Sequence, residues 1–401
     1  MEPFEFKILV KDTKTRARTG IIKTKNGKIE TPYLIPVATR GFIIALTKSD
    51  LKKISPQALL ANTYHLHLKP GDEKIRKYGG LHKFMDFKKP IFTDSGGFQA
   101  FSLGIGREHG LRKIGFFPNN RKTIAEKNGK NYARITERGV HFISVYNEKE
   151  HFMDAKKSME IQSNLNSNII MAFDECTSPT QSKEEIKRAM IRSHKWELES
   201  LKHHNPKQAL YGIIHGGWYK DLRLQSTKFI KSLPFDGVAI GGSLGETKKD
   251  MYEILDWIIP YLDNDLRPRH MLGIGWVEDL FECVERGLDT FDCVETTRIA
   301  RHGNLYVSPE SGGDKKNKFT ISIKKALYEK DKRKISKGCN CETCKKYNRC
   351  QIRNILKTDK RKYYRYATIH NLHFMENLTK QIRESIKKGN FSNLKKKWLK
   401  D

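Results

Sequence analysis

Residues 209–217, ALYGIIHGG, and 236–242, DGVAIGG, decide the fold. Each is a short apolar run without polar alternation that ends in a glycine pair. A strand with one wet face alternates polar and apolar positions. An unbroken run belongs to a strand covered on both faces, as in a parallel sheet wrapped by helices. Working outward, six more runs share this character: PYLIPVA (32–38), QALLAN (57–62), PIFT (90–93), NIIMAFD (168–174), HMLGIG (270–275) and LDTFDCV (288–294). Amphipathic or charged helical stretches follow several of them, at 155–166, 183–204, 219–232, 247–262 and 276–286. Eight β units with intervening helices predict an α/β architecture, a (β/α)8 TIM barrel.

Active sites of such barrels lie at the C-terminal ends of the strands. The runs end in TDSGGFQ (93–99), DEC (174–176), HGG (215–217), GGSLGE (241–246) and LGIG (272–275), and the last holds FDCV (291–294). Asp94, Asp174 and Asp292 are thus expected at one mouth. Asp94 before Ser-Gly-Gly also fits a cap or turn residue, and Asp174 also fits a strand end paired with a lysine. Asp292, between Phe291 and Cys293 in a buried strand, needs a partner or a task. Two carboxylates beside one reactive carbon suit covalent glycosyl transfer, one as nucleophile and the other managing protons. Paired glycines let backbone N–H groups approach a flat ligand.

Two segments depart from the barrel pattern. Residues 104–131, rich in Gly, Asn, Lys and Arg, read as a long loop or insertion. Residues 324–375 carry CNCETC (339–344) and His370. Cys339, Cys341, Cys344 and His370 offer three thiolates and an imidazole, the donor set of a closed, structural Zn²⁺ site. Reduced thiols or a redox pair are the alternatives, and Cys350 and His373 compete as ligands. The division expected is a barrel body over 1–323, a zinc-binding subdomain inserted over 324–375, and a last helix over 376–401, with helical character beginning at 374.

Lysine plus arginine less aspartate plus glutamate is 76 − 46 = +30, the electrostatic footprint of a nucleic-acid binder. The stretches KDKRKISK (330–337) and KTDKRKYYRY (357–366), interleaved with tyrosines, suit an RNA-gripping surface beside the metal. Arg298 and Arg301 in TTRIAR (296–301) are candidates for phosphate or base contacts across the mouth. Seven cysteines, four of them between 339 and 350, do not form a secreted disulfide framework and favour a reducing, cytoplasmic compartment. MEPFEFKILVKD at the N-terminus lacks the apolar core of a signal peptide. No apolar run approaches the length of a membrane span, so no membrane partner is expected.

The motifs NTYHL (62–66), GGLHKFM (79–85), TDSGGFQAFS (93–102), MAFDEC (171–176), LGIG (272–275), GLDTFDCV (287–294), TTRIAR and CNCETC with His370 resemble the bacterial-type tRNA-guanine transglycosylase family, from about residue 18 onward. The resemblance implies an enzyme of queuosine biosynthesis. Such an enzyme exchanges the wobble guanine of tRNAs with a GUN anticodon for a 7-deazaguanine base, prequeuine or queuine. It implies that Asp292 attacks the ribose and Asp94 is the general acid/base. Asp174, His215 and Gly242 would bind the base, and Phe98 and Leu272 would sandwich it. It also implies zinc on Cys339, Cys341, Cys344 and His370, and a homodimer. The family usually has Gln where His215 stands, and GGSLGE is one residue shorter than its usual loop; both bear on which base enters. A non-catalytic tRNA-binding partner subunit is the alternative, and the presence of both Asp94 and Asp292 argues against it.

Overall fold

The computed structural model describes residues 4–100, 132–178 and 181–400. The expected loop at 104–131 lies outside these residues. Three antiparallel strands open the chain: β1 (Phe4–Lys11), β2 (Arg18–Thr24) and β3 (Gly27–Thr31). Along β1 partly buried and exposed side chains alternate at every residue, the pattern of a strand packed on one face. The two-residue turn Lys25-Asn26 joins β2 to β3.

The barrel strands are β4 (Tyr33–Pro36), β5 (Leu59–Ala61) and β6 (Ile91–Thr93), then, after a separate antiparallel sheet of β7 (Ala133–Ile135), β8 (Val140–Ile143) and β9 (Glu150–Met153), β10 (Ile169–Met171), β11 (Ala209–Ile214), β12 (Gly237–Ile240), β13 (Arg269–Met271) and β14 (Thr290–Cys293). Every one of the eight apolar runs supplies one strand. They form a single parallel sheet in the order β4-β14-β13-β12-β11-β10-β6-β5. Its outer strands meet where the Ala38 amide donates to the Leu60 carbonyl at 2.7 Å, bringing the ring together. The expected helices are Ala155–Leu165, Lys183–His203, Lys220–Ser232, Lys248–Ile258 and Val277–Glu285.

Tyr33, Ile35, Leu60, Phe92, Met171, Tyr211 and Ile213 fill the barrel. Ile22 and Ile29 of the N-terminal sheet join the same cluster, and the Phe4 ring meets Tyr211 edge-on at 6.1 Å. The buried Arg18 guanidinium bonds Asp289, just before β14, at 2.7 Å and the Arg267 carbonyl, just before β13, at 2.9 Å. This sheet therefore caps the N-terminal ends of the strands and leaves the opposite end for a cavity.

After β14 come β15 (Asn304–Tyr306) and β16 (Thr320–Ser322), then helices Glu342–Lys346, Arg349–Thr358, Lys360–Lys387 and Phe391–Trp398. The long helix differs from expectation: it starts at Lys360, not 374, and runs unbroken across residues 375 and 376. Its first half reads as a charge run, yet Tyr363, Tyr366, Ala367 and His370 are spaced i, i+3, i+4, i+7 and form one buried face. The Asp359 side chain caps it by accepting from the Lys362 amide at 3.0 Å. Tyr363, Tyr366 and Ile369 pack into the cysteine-bearing cluster, whereas Phe374, Leu378 and Ile382 pack into the helical shell of the barrel. Among the described residues no helix is long and apolar enough to cross a membrane.

Candidate active site

A cavity of about 610 Å³ opens at the C-terminal ends of the strands. Its walls include Asp94, Phe98, Asp174, Gly242, Leu272, Asp292 and Arg298. His215 and Arg301 are not on that wall. Thus the three expected carboxylates and both expected base-stacking residues share one space.

Asp94 follows β6 directly and keeps part of its surface open. Its Oδ1 accepts the Thr63 amide at 2.9 Å, and its Oδ2 accepts the Asn62 side-chain amide. Asn62 serves twice, because its own oxygen caps the helix Thr63–Leu68 through the His65 amide at 2.9 Å. Burial raises the Asp94 carboxyl to about 7; the Thr63 amide opposes this and the Asp292 charge adds to it. Asp174, three residues past β10, accepts from the Ser95 hydroxyl at 3.1 Å. Burial likewise raises its carboxyl to about 7, against the Ser95 bond and with help from the Glu175 charge. Gly97 permits this approach, since a Cβ there would lie 2.7 Å from the Asp174 carbonyl oxygen.

Asp292, in β14, is anchored among the described residues through one oxygen. Its Oδ1 accepts from the Gly273 amide at 3.0 Å and lies 3.2 Å from His270 Nε2. Among the described residues its Oδ2 has no hydrogen-bond partner.

Gly242 turns with φ of +69°, a conformation that costs other residues strain. His215 stands behind it: 2% exposed, its Nε2 is 3.6 Å from Asp174 Oδ2, and among the described residues neither ring nitrogen has a hydrogen-bond partner. Burial and the nearby Arg223 charge hold its imidazole well below the usual range, so the ring is neutral. Arg223 is wholly buried and donates to the carbonyls of Ile214, Gly217, Gly241 and Ser243 at 2.6–3.0 Å. No carboxylate pairs with it among the described residues, and burial lowers its guanidinium to about 9. It ties the loops after β11 and β12 together beneath Gly242. Sequence reasoning missed both Arg223 and His270. An arginine in an amphipathic helix reads as a solvent-facing charge, and a histidine opening an apolar run reads as core.

Cys339, Cys341, Cys344 and His370 converge, with all four donor atoms within 4.8 Å of one another. His370 Nδ1 is 3.8, 3.5 and 3.4 Å from the three sulfurs in that order. A tetrahedral ion with bonds of about 2.3 Å to sulfur and about 2.0 Å to nitrogen separates such donors by roughly 3.5 Å, so the four fit one ion. The Tyr306 carbonyl accepts from His370 Nε2 at 2.8 Å, which leaves Nδ1 bare to face the sulfurs. The competitors fall away: His373 approaches only Cys339, at 3.8 Å, and Cys350 contacts Asn348.

Arg298, on the helix Glu295–Arg301, reaches the cavity and pairs with Glu295. Arg301 is half-buried and donates to the Thr297 carbonyl at 3.0 Å.

The family model described as queuine tRNA-ribosyltransferase (TGT) matches residues 12–401. A protein of Archaeoglobus fulgidus that carries the same enzyme name in qualified form is 49% identical over 406 residues, covering 99% of each chain. Queuine tRNA-ribosyltransferases of Roseiflexus sp. and Caldanaerobacter subterraneus are 39% and 40% identical, each over 98% or more of both chains. With a match of this extent and the barrel, carboxylates and Cys₃His group in place, the chain belongs to the queuine tRNA-ribosyltransferase family.

Proposed function

We propose that this protein exchanges the wobble guanine of tRNAs with a GUN anticodon for a 7-deazaguanine base, through a covalent link between Asp292 and the ribose. The observation that carries the reading is the unequal state of two carboxylates on one cavity wall. Both oxygens of Asp94 accept hydrogen bonds, whereas among the described residues only one oxygen of Asp292 does. Asp292 Oδ2 attacks C1′ of the target nucleoside; the C1′–N9 bond breaks and its electron pair leaves with guanine. Asp94, raised to about 7, supplies a proton to the departing base and later takes the N9 proton of the incoming one. The incoming N9 then displaces Asp292, so two inversions return the original configuration.

Asp174 holds the Watson–Crick edge of the base, the Gly242 backbone its carbonyl, and Phe98 and Leu272 its two faces. His215 acts from behind Asp174 and Gly242, where it stands. Arg298 and Arg301 contact the RNA. Cys339, Cys341, Cys344 and His370 hold one zinc ion, which when bound supplies cross-linking of residues 324–375 and no reaction step. The working unit is a homodimer, to be read from its mass by sedimentation.

The test is incorporation of labelled guanine, aminomethyl-deazaguanine and queuine into a GUN-anticodon tRNA. Incorporation of at least one base is expected. No incorporation by a protein that still binds the tRNA would replace this reading with a non-catalytic binding subunit.

A further inference from the structure

We infer that His270 is the positioning residue of the Asp292 nucleophile: it holds one carboxylate oxygen so that the other is presented to the ribose. The inference rests on the proposed role of Asp292. His270 lies in β13, next to β14 in the sheet, and is fully buried inside the barrel. Its Nε2 is 3.2 Å from Asp292 Oδ1, and its Nδ1 is 3.0 Å from the Thr290 hydroxyl. Phe92 stacks on the ring at 5.8 Å with 25° between planes, which fixes the ring's orientation. Asp292 Oδ1 can only accept from Nε2–H. In a neutral ring Nδ1 is then the acceptor, and the Thr290 hydroxyl donates to it. The chain of donors runs Thr290 to His270 to Asp292.

Two bonds on one oxygen have a steric consequence. The Gly273 amide and His270 both fasten Oδ1, so rotation of the carboxylate about its last bond is blocked. Oδ2 has no competing donor among the described residues, and Asp292 lines the cavity. A nucleophile held this way starts each turnover aligned, and misplacement by about 1 Å is enough to cost roughly 100-fold in rate. Phe at position 270 would preserve the stacked ring and bulk while deleting both hydrogen bonds. Gln would restore a donor towards Asp292. Thr290→Val leaves the shape nearly unchanged and removes only the donor to Nδ1.

The experiment measures kcat and KM for labelled guanine and a GUN-anticodon tRNA with His270→Phe, His270→Gln, Thr290→Val and Asp292→Ala. For His270→Phe, kcat should fall about 30- to 100-fold with both KM values within about twofold. His270→Gln should recover most of that loss, and Thr290→Val should cost about 3- to 10-fold. A wild-type kcat in folded His270→Phe overturns the inference. So does a loss that appears in KM or in the melting temperature alone. If His270→Phe does not fold, an unchanged kcat in Thr290→Val overturns it instead. Asp292→Ala separates the two claims: a covalent RNA adduct that survives in it refutes the nucleophile itself, whatever the His270 variants do.

Discussion

Replacing Asp174 with Asn should stabilise the protein while impairing it, and the stabilisation should grow with pH. The folded state holds the Asp174 proton up to about pH 7, whereas an unperturbed carboxyl releases it near 3.8. The unfolded chain therefore binds fewer protons across this window. Stability is fully present below 3.8 and is lost as pH rises to about 7. The difference, 7 − 3.8 = 3.2 units, corresponds to roughly 4 kcal/mol at pH 8, of which roughly 2.7 kcal/mol develops above pH 5. Asn carries no such penalty. Its oxygen can still accept from the Ser95 hydroxyl, and its amide faces His215 Nε2, which has no hydrogen-bond partner among the described residues. Asp94, whose shift comes from burial, the Thr63 amide and the Asp292 charge rather than from Asp174, titrates in both proteins and cancels in the comparison. The assay is urea unfolding of wild type and Asp174→Asn at pH 5 and pH 8. The variant should be more stable at pH 8, by a margin that shrinks by about 2 to 3 kcal/mol at pH 5. A margin independent of pH, or a variant less stable at pH 8, would refute the claim that burial keeps this carboxyl protonated.

The other expected outcomes concern the metal, the loops and the RNA. Cys341→Ala removes one of the four proposed ligands, so bound zinc measured by elemental analysis should drop from one per chain to near zero and the melting temperature should fall. Arg223→Met removes the donor to the Gly217, Gly241 and Ser243 carbonyls, while the Ile214 carbonyl keeps the Gly241 amide, which should cost about 3 kcal/mol or more and raise KM for the free base; an unchanged melt would mean the loops hold without it. Arg298→Ala should weaken tRNA binding and reduce the slope of log affinity against log salt by about 1; an unchanged slope would place the residue off the phosphate path.

Much of this molecule was legible in its sequence, for physical reasons that differ by region. Strands buried on both faces are mostly apolar and do not alternate, so all eight barrel strands announced themselves as apolar runs. The carboxylates at their ends were legible because a charge beside a buried strand is costly without a purpose. The N-terminal sheet went unread, although FEFKILVK alternates through β1, because it lies outside the recurring barrel unit. The sheet β7–β9 went unread because its strands are short and half polar, as in VHFI and EHFM. The start of the long helix was hidden by KRKYYRY, where surface charge masked a buried tyrosine face. Arg223 and His270 were not legible at all. Their roles arise from contacts made by the fold, four carbonyls for one and a neighbouring-strand carboxylate for the other. His215 was singled out by its position after β11, yet the fold sets it behind the cavity wall.

The most direct measurement of the central claim is trapping of the enzyme–RNA link. Wild-type protein and a GUN-anticodon tRNA, quenched in denaturant during turnover, should yield a band that survives denaturing electrophoresis. Peptide mapping should place the RNA on Asp292, and Asp292→Ala should give no band while still binding tRNA. An adduct that persists in Asp292→Ala, or that maps to Asp94, would contradict the account.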